Sequence, residues 1–425
     1  MNVSWHIRGG RIIDPANGID RVADLLVVDG RIAGPAQAVP PGVVEIDARG
    51  LWVVPGLTDM HVHLREPGEE YKEDILSGTR AAAAGGFTGV ACMPNTRPVN
   101  DSATVTAMIV ARAAAASARV YPVGAISLGS EGTHLAEFGE MRDAGIVAVS
   151  DDGRPVRDSQ LMRRALEYAS DFGLPIISHS EEAALSTGVM HEGPVATRLG
   201  LKGIPAAAEA IMVYREIALA ELTGARVHIA HVSTAMAVDL IRTAKSRGVP
   251  VTAESAPHYF TLIDEAVSGY DTATKMNPPL RSAADREAIR QALADGTLDA
   301  VATDHAPHSI LEKEVEFDLA ANGIIGLETA LPLTLALVRD HVIDERRLVE
   351  LLAVNPAAIL GLAAGTLSPG AAADITLIDP ERRFVYTADQ IVSKSRNTPF
   401  LDWTLQGRAV LTMVGGAIRH TLLAA

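Results

Sequence analysis

Eight short apolar runs rich in β-branched residues recur along the chain, each followed by a segment of helical spacing, and this alternation constrains the fold more than any other feature. The runs are LWVVPGLTDMHVH, TGVACMPN, RVYPVGAIS, GIVAVSDD, LPIISHS, ARVHIAHVS, VPVTAESAP and LDAVATDHAPH. Between them lie segments such as DSQLMRRALEYASDFG and IPAAAEAIMVYREIALAELTG. The runs lack strict polar and apolar alternation, as expected of parallel strands buried on both faces. Strands alternating with helices in this number predict an α/β fold, a (β/α)8 TIM barrel.

The residues that end the runs are polar or able to bind metal: His61 and His63, Asn95, Ser127, Asp152, His179, His231, Glu254 and Asp304. In a barrel of this kind the C-terminal strand ends face one shared mouth, so residues far apart in sequence converge there.

The two ends of the chain have a different texture. HIRGGRIID, ADLLVVDGRI and VVEIDARG near the start, and GTLSPGAAADITLIDP through AVLTMVGGAIRH near the end, are short alternating pieces with Gly and Asp turns. Residues 1–55 and 364–425 are expected to pair into a small β-sandwich-like domain built from both termini, with 56–363 as the barrel; two independent tails are the alternative. ARAAAASAR reads as an Ala-rich helix on propensity alone.

His61 and His63, two residues apart on a strand, turn their imidazoles to the same side, where they can share a metal. His179 and His231 each end an apolar strand, and with the first pair they form a set of four. Asp151-Asp152 and Asp304 add oxygen donors; one of the two adjacent aspartates is expected to be a turn residue before Gly153. Nitrogen and oxygen ligands without thiolate suit zinc. Four His and two Asp exceed what a closed structural site needs and are enough for two ions with an exchangeable water, which loses a proton near neutral pH. Asp304 can be both ligand and proton shuttle.

Arg65, two residues past His63, is aimed at the same mouth and offers a bidentate grip for a carboxylate, which Asn95 can complete. His308, on the loop after Asp304, is a candidate substrate contact, with His305 in a supporting place and Asn277 a weaker candidate. Glu254 and His258 stand out among the residues left without a role. Lys72, Glu73 and Asp74 read as the solvated first turn of a helix.

Composition removes several classes of function. Hydrophobic residues make up 48% and charged ones 21% of the 425, which excludes disorder as the main state. The net charge of −15 and the absence of a basic run make nucleic acid and anionic membranes poor partners. Cys92, the single cysteine, excludes an intramolecular disulfide and reads as packing. No apolar stretch reaches the ~18 residues of a membrane span, and the first residues lack a signal-peptide pattern, so a cytoplasmic location is expected.

VPGLTDMHVHLREPG and ATDHAPHSILEK resemble the two signature segments of the dihydroorotases, in the amidohydrolase superfamily. MPNT, SDDGRPV, ISHSE, AHVS, MNPPLR and GLETALP follow in the family order, and the resemblance, to the class I bacterial branch, covers nearly the whole chain. It implies that His61, His63 and Asp304 hold one zinc, His179 and His231 a second, with Asp152 between them, and that one or two ions are bound, two being favoured. It also implies that Arg65, Asn95, Asn277 and His308 hold dihydroorotate, the first two chiefly through its carboxylate. Related hydantoinases, dihydropyrimidinases and allantoinases bridge their metals with a carboxylated lysine, where this chain has Asp-Asp. One departure falls at Ala321-Asn322-Gly323, where class I members often carry Ala-Pro before the glycine.

The activity implied is the reversible interconversion of N-carbamoyl-L-aspartate and L-dihydroorotate in pyrimidine biosynthesis, with metal-activated hydroxide as nucleophile and Asp304 as shuttle. The alternatives are another cyclic-amide hydrolase or a noncatalytic scaffold for aspartate carbamoyltransferase; the four retained histidines argue against the latter as the sole role. Association with that transferase and homo-oligomerisation are expected. The segment from Ser309 to Asn322 is a candidate lid over the substrate.

Overall fold

The computed structural model describes residues 3–34 and 39–423. Eight parallel strands follow in chain order: β1 (Leu57–Val62), β2 (Phe87–Cys92), β3 (Arg119–Gly124), β4 (Ala148–Val149), β5 (Ile176–Ser178), β6 (Val227–Ile229), β7 (Val251–Ser255) and β8 (Ala300–Val301). The ring closes where Val62 bridges His305 in parallel and the His63 N–H donates to the His305 carbonyl at 2.8 Å. The outer layer is α1 (Ile75–Gly85), α2 (Ala103–Ala113), α3 (Phe138–Ala144), α4 (Ser159–Asp171), α5 (Ala207–Thr223), α6 (Ala235–Ser246), α7 (Ala283–Asp295) and α8 (Ala330–Arg339). This is the expected (β/α)8 barrel, with β1 and β2 buried along their whole length.

Local chemistry sets the helix boundaries. Asp158 accepts from the N–H groups of Gln160 (2.7 Å) and Leu161 (3.2 Å) to cap α4, and Met162, Ala165, Leu166 and Ala169 then form its single buried stripe. Asp74 with Ser77, and Ser282 with Asp285, make reciprocal capping boxes at α1 and α7. The Ala-rich helix predicted over ARAAAASAR is instead the tail of α2, which ends at Ala113 before the small residues lead into β3.

Two apolar layers share the strands. Residues such as Val90, Ile176 and Ile229 pack outward against the helices, whereas Met60, Ala91, Val123, Ala148, Ile177 and Ala230 form a separate cluster that fills the barrel. Cys92 belongs to the outer layer, and burial pushes its thiol up to about 12, which suits packing and not nucleophilic chemistry.

Both chain ends contribute to one mixed eight-stranded sheet. Trp52–Pro55 pairs antiparallel with Ile375–Ile378 and parallel with Arg11–Ile12, joining the N-terminal strands to Thr404–Val414 and Ala417–Thr421. Ile7, Val27, Ile46, Val53, Leu377 and Val410 give this sheet its own apolar cluster. It is fastened to the barrel by the Arg119–Asp374 ion pair at 2.7 Å and by Thr376 Oγ1, which donates to the Gly86 carbonyl at 2.6 Å. Among the described residues no helix is long and apolar enough to cross a membrane.

The expected solvated turn at Lys72 and Glu73 is overturned: both are buried, and only Asp74, at the cap of α1, is partly open. Glu73 is enclosed by Ser77, Ser393 and His305, and Lys72 is neutralised by Glu69 at 3.1 Å and Glu312 at 2.8 Å. The turn underlies the site, and its charges are buried because each has a partner.

Candidate active site

His63, Arg65, Asn95, Asp152, His179, His231, Asn277, Asp304 and His308 line one pocket of about 230 Å³ at the C-terminal end of the barrel. His61 lies fully buried, its Nε2 3.4 Å from Asp152 Oδ1 and 3.7 Å from Asp304 Oδ1. The expected metal-type and substrate-binding residues therefore meet in one place.

The strand ends explain the convergence. His61 lies on β1 with His63 just past it, and His179 follows β5 directly. His231 and Asp304 follow β6 and β8 with φ of +36° and +48°, and Arg65 has φ +59°. These left-handed backbones cost of order 1 kcal/mol each and turn the side chains inward where a relaxed strand would continue past the rim.

His61 and His63 are held with one nitrogen backed and the other facing carboxylates. His63 Nδ1 meets Asn95 Oδ1 at 2.8 Å, and its Nε2 faces Asp304 Oδ1 at 3.1 Å and Asp152 Oδ2 at 3.5 Å. His61 Nδ1 meets Glu254 Oε1 at 3.0 Å. His179 Nδ1 and His231 Nε2 lie 2.9 Å from each other and 3.5 and 3.6 Å from Asp152 Oδ1.

This donor set fits a divalent cation. His61 Nε2 and His231 Nδ1 are buried without hydrogen-bond partners, and His61, Asp152 and His231, like His61, His63 and Asp304, lie close enough to share an ion. Without a cation His61 and His179 hold protons instead. Burial disfavours the charged ring of His179, but Asp152 and Glu181 outweigh it and hold the ring up near 10. Asp152 sits well below the ordinary carboxylate range, since the facing histidines outweigh its burial. A bound cation would displace those protons.

The adjacent aspartates divide their work. Asp151 turns away, accepting from Ile126 N at 2.8 Å, Ser127 N at 3.1 Å and the Ser127 hydroxyl, while Asp152 alone faces the histidines. Glu254, noticed in the sequence without a role, backs His61. His258 is buried beside the cluster with Nε2 free of partners, and His305 accepts from Gly326 N at 3.1 Å behind the pocket wall. Sequence reasoning missed two residues. Asp59 accepts from Thr303 Oγ1 (2.5 Å), Thr303 N (3.1 Å) and His61 N (3.1 Å), clasping β1 to the end of β8. Glu181 meets His179 Nε2 at 3.3 Å and accepts from Asn277 Nδ2 at 3.1 Å. The only signal for either was its place two residues from a metal-type histidine.

The opposite wall carries the Arg65 guanidinium. Arg65 is buried, donates from Nε to the Pro307 carbonyl at 3.1 Å and places Nη2 3.3 Å from His308 Nε2. Burial lowers its pKa, and no ion pair to a described carboxylate neutralises it. His308 Nε2 also meets the Asn322 carbonyl at 2.8 Å, so the Ala321-Asn322-Gly323 departure lies in the pocket wall. Gly323 has φ +123°, and a Cβ there would come within 2.5 Å of Ala306, so this close approach requires glycine. The Ser309–Asn322 segment carries a short helix, Ile310–Lys313, and buried Lys313 Nζ donates to the carbonyls of Ala321 (2.7 Å) and Gly323 (3.1 Å).

A (β/α)8 barrel with histidines and aspartates gathered at its C-terminal rim is the arrangement of an enzyme active site, and the proteins it is similar to define the class as the cyclic-amide hydrolases of the amidohydrolase superfamily. The L-hydantoinase (dihydropyrimidinase) of Arthrobacter aurescens superposes with a TM-score of 0.88 at 26% identity, covering 100% of this chain and 98% of its own. Residues 50–237 match the family described as dihydro-orotase-like. The dihydroorotase of Desulfotalea psychrophila is 62% identical over 96% of this chain and 98% of its own. That of Anaeromyxobacter dehalogenans is 60% identical over 97% of each, and that of Geotalea daltonii 59% over 99% of each. The chain belongs to the dihydroorotase family.

Proposed function

We propose that the chain is a zinc-dependent dihydroorotase, interconverting N-carbamoyl-L-aspartate and L-dihydroorotate. The observation that carries this reading is Arg65: a buried guanidinium without a carboxylate partner, on the wall of the same pocket as the histidine cluster. A buried cation of this kind is offset by an anion from outside, and L-dihydroorotate carries a carboxylate on the ring carbon separated by one methylene from the carbonyl that is attacked. Hydantoin and dihydrouracil have the amide and lack the carboxylate.

His61, His63 and Asp304 would hold one zinc, and His179 and His231 a second, with Asp152 facing both. Zinc there would acidify water and polarise the amide carbonyl. The chain's own residues do the rest. Arg65 with Asn95, whose amide spans His63 and Asp152 (Nδ2 to Oδ2 3.2 Å), grips the carboxylate, and His308 faces the same space. Asn277 orients the ring from the His179 side. In the hydrolytic direction Asp304 accepts the proton of the attacking water and delivers it to the departing ring nitrogen, and cyclisation runs this path backwards. With this reading go a cytoplasmic location, homo-oligomerisation and association with aspartate carbamoyltransferase.

The test is a substrate comparison with the zinc-supplemented protein. Ring opening of L-dihydroorotate should exceed that of hydantoin and dihydrouracil in kcat/KM by at least ~100-fold, because loss of the carboxylate leaves Arg65 unpaired in the complex. Preference for either neutral ring would overturn the assignment.

A further inference from the structure

Glu254 is a carboxylate that the proposed chemistry leaves without a task. It lies on β7 with its side chain 1% exposed and crosses the barrel interior to His61 on β1, Oε1 to Nδ1 at 3.0 Å. Its other oxygen stands 3.3 Å from His228 Nε2, outside hydrogen-bond geometry, while His228 Nδ1 meets Thr252 Oγ1 at 2.8 Å. A buried carboxylate is costly unless it accepts hydrogen bonds, and the nearest donor in good geometry is His61.

The consequence concerns which nitrogen of His61 is free. With Nδ1 facing Glu254, a proton resides on Nδ1 and donates to the carboxylate, so Nε2 is the nitrogen left to offer its lone pair to a cation on the side of Asp152 and Asp304. His63 reaches the same state through a neutral amide, Asn95. The two members of the His-Val-His pair are thus backed unequally, one by a charge and one by a dipole. A charged acceptor makes the ring a stronger electron-pair donor and fixes its orientation.

We propose that Glu254 is a positioning residue that fixes the tautomer of His61 and strengthens its Nε2 as a ligand for a divalent cation. The inference rests on the metal reading above and extends it to a residue that touches neither substrate nor ion. Glu254→Gln preserves shape and an acceptor for Nδ1–H but removes the charge, whereas Glu254→Leu removes both. Zinc affinity should fall about 10-fold in the first and about 100-fold in the second.

The experiment is a competition titration of zinc alone, against a chromophoric chelator, with wild type and both variants, folding being checked by circular dichroism. The expected order is wild type, then Glu254→Gln, then Glu254→Leu. Equal affinity in wild type and a folded Glu254→Gln variant overturns the proposal and leaves the metal reading standing. Failure of wild type itself to bind zinc overturns both. Because the leucine variant can misfold, the His61 tautomer of zinc-loaded wild type provides an independent check: nitrogen-15 histidine spectra should show the proton on Nδ1, and a proton on Nε2 refutes the inference.

Discussion

His63 Nε2 and Asp304 Oδ1 lie 3.1 Å apart although 241 residues separate them, and this contact joins the first strand of the barrel to the last. The proton on Nδ1 is directed to Asn95, so the contact is a lone pair against a carboxylate, stable only with a cation or a proton between them.

Asp304 is expected to carry the proton in both directions of the reaction. Asp304→Asn keeps the size and removes the base, and kcat should fall by roughly 10²–10⁴-fold in a protein that still folds. Wild-type turnover in that variant, measured with L-dihydroorotate, would remove Asp304 from the proton path.

Arg65 should act on substrate and not on metal. Arg65→Met is expected to raise KM about 10- to 100-fold through loss of a charge-assisted contact, with zinc content unchanged by elemental analysis. An unaltered KM would show that the carboxylate is gripped elsewhere.

Asp59 ties His61 to Thr303 through hydrogen bonds of 3.1, 3.1 and 2.5 Å in a fully buried place. Asp59→Ala strands those donors, so urea unfolding should register a loss of about 3 kcal/mol or more. A variant as stable as wild type would show that the clasp between first and last strands adds nothing.

Acid should weaken the fold through histidines that are buried neutral. Burial, opposed by Asp304, lowers His258 to about 4, and burial with the charges of Arg65 and Lys72 lowers His308 to about 3. The ordinary histidine value is 6.5, so below it the unfolded chain binds protons that the native chain refuses. These two groups therefore contribute stability that is present above pH ~6.5 and lost as pH falls, with a slope approaching ~1.4 kcal/mol per pH unit for each. His258→Asn should flatten this slope by about one proton, read from urea midpoints between pH 6.5 and 4; an unchanged slope would mean that His258 is charged in the native state.

The barrel and its metal-type residues were legible because each apolar run ends in the residue that faces the mouth, as ISHS does at His179 and AHVS at His231. The division between Asp151 and Asp152 was not legible from spacing, since it depends on Ser127 and Ile126 offering donors to the first. Lys72 and Glu73 misled because a charged turn before a helix usually faces water, and their partners Glu312 and Ser393 come from distant loops. Glu254 and Asp59 act across the barrel, through contacts to residues that no local pattern connects to them.

The central claim is tested most directly by following L-dihydroorotate ring opening, as loss of ultraviolet absorbance, with the zinc-loaded protein and with the same protein after chelation. Turnover should disappear on chelation and return with zinc. Turnover that survives verified metal removal, or none from a folded and zinc-loaded sample, would contradict it.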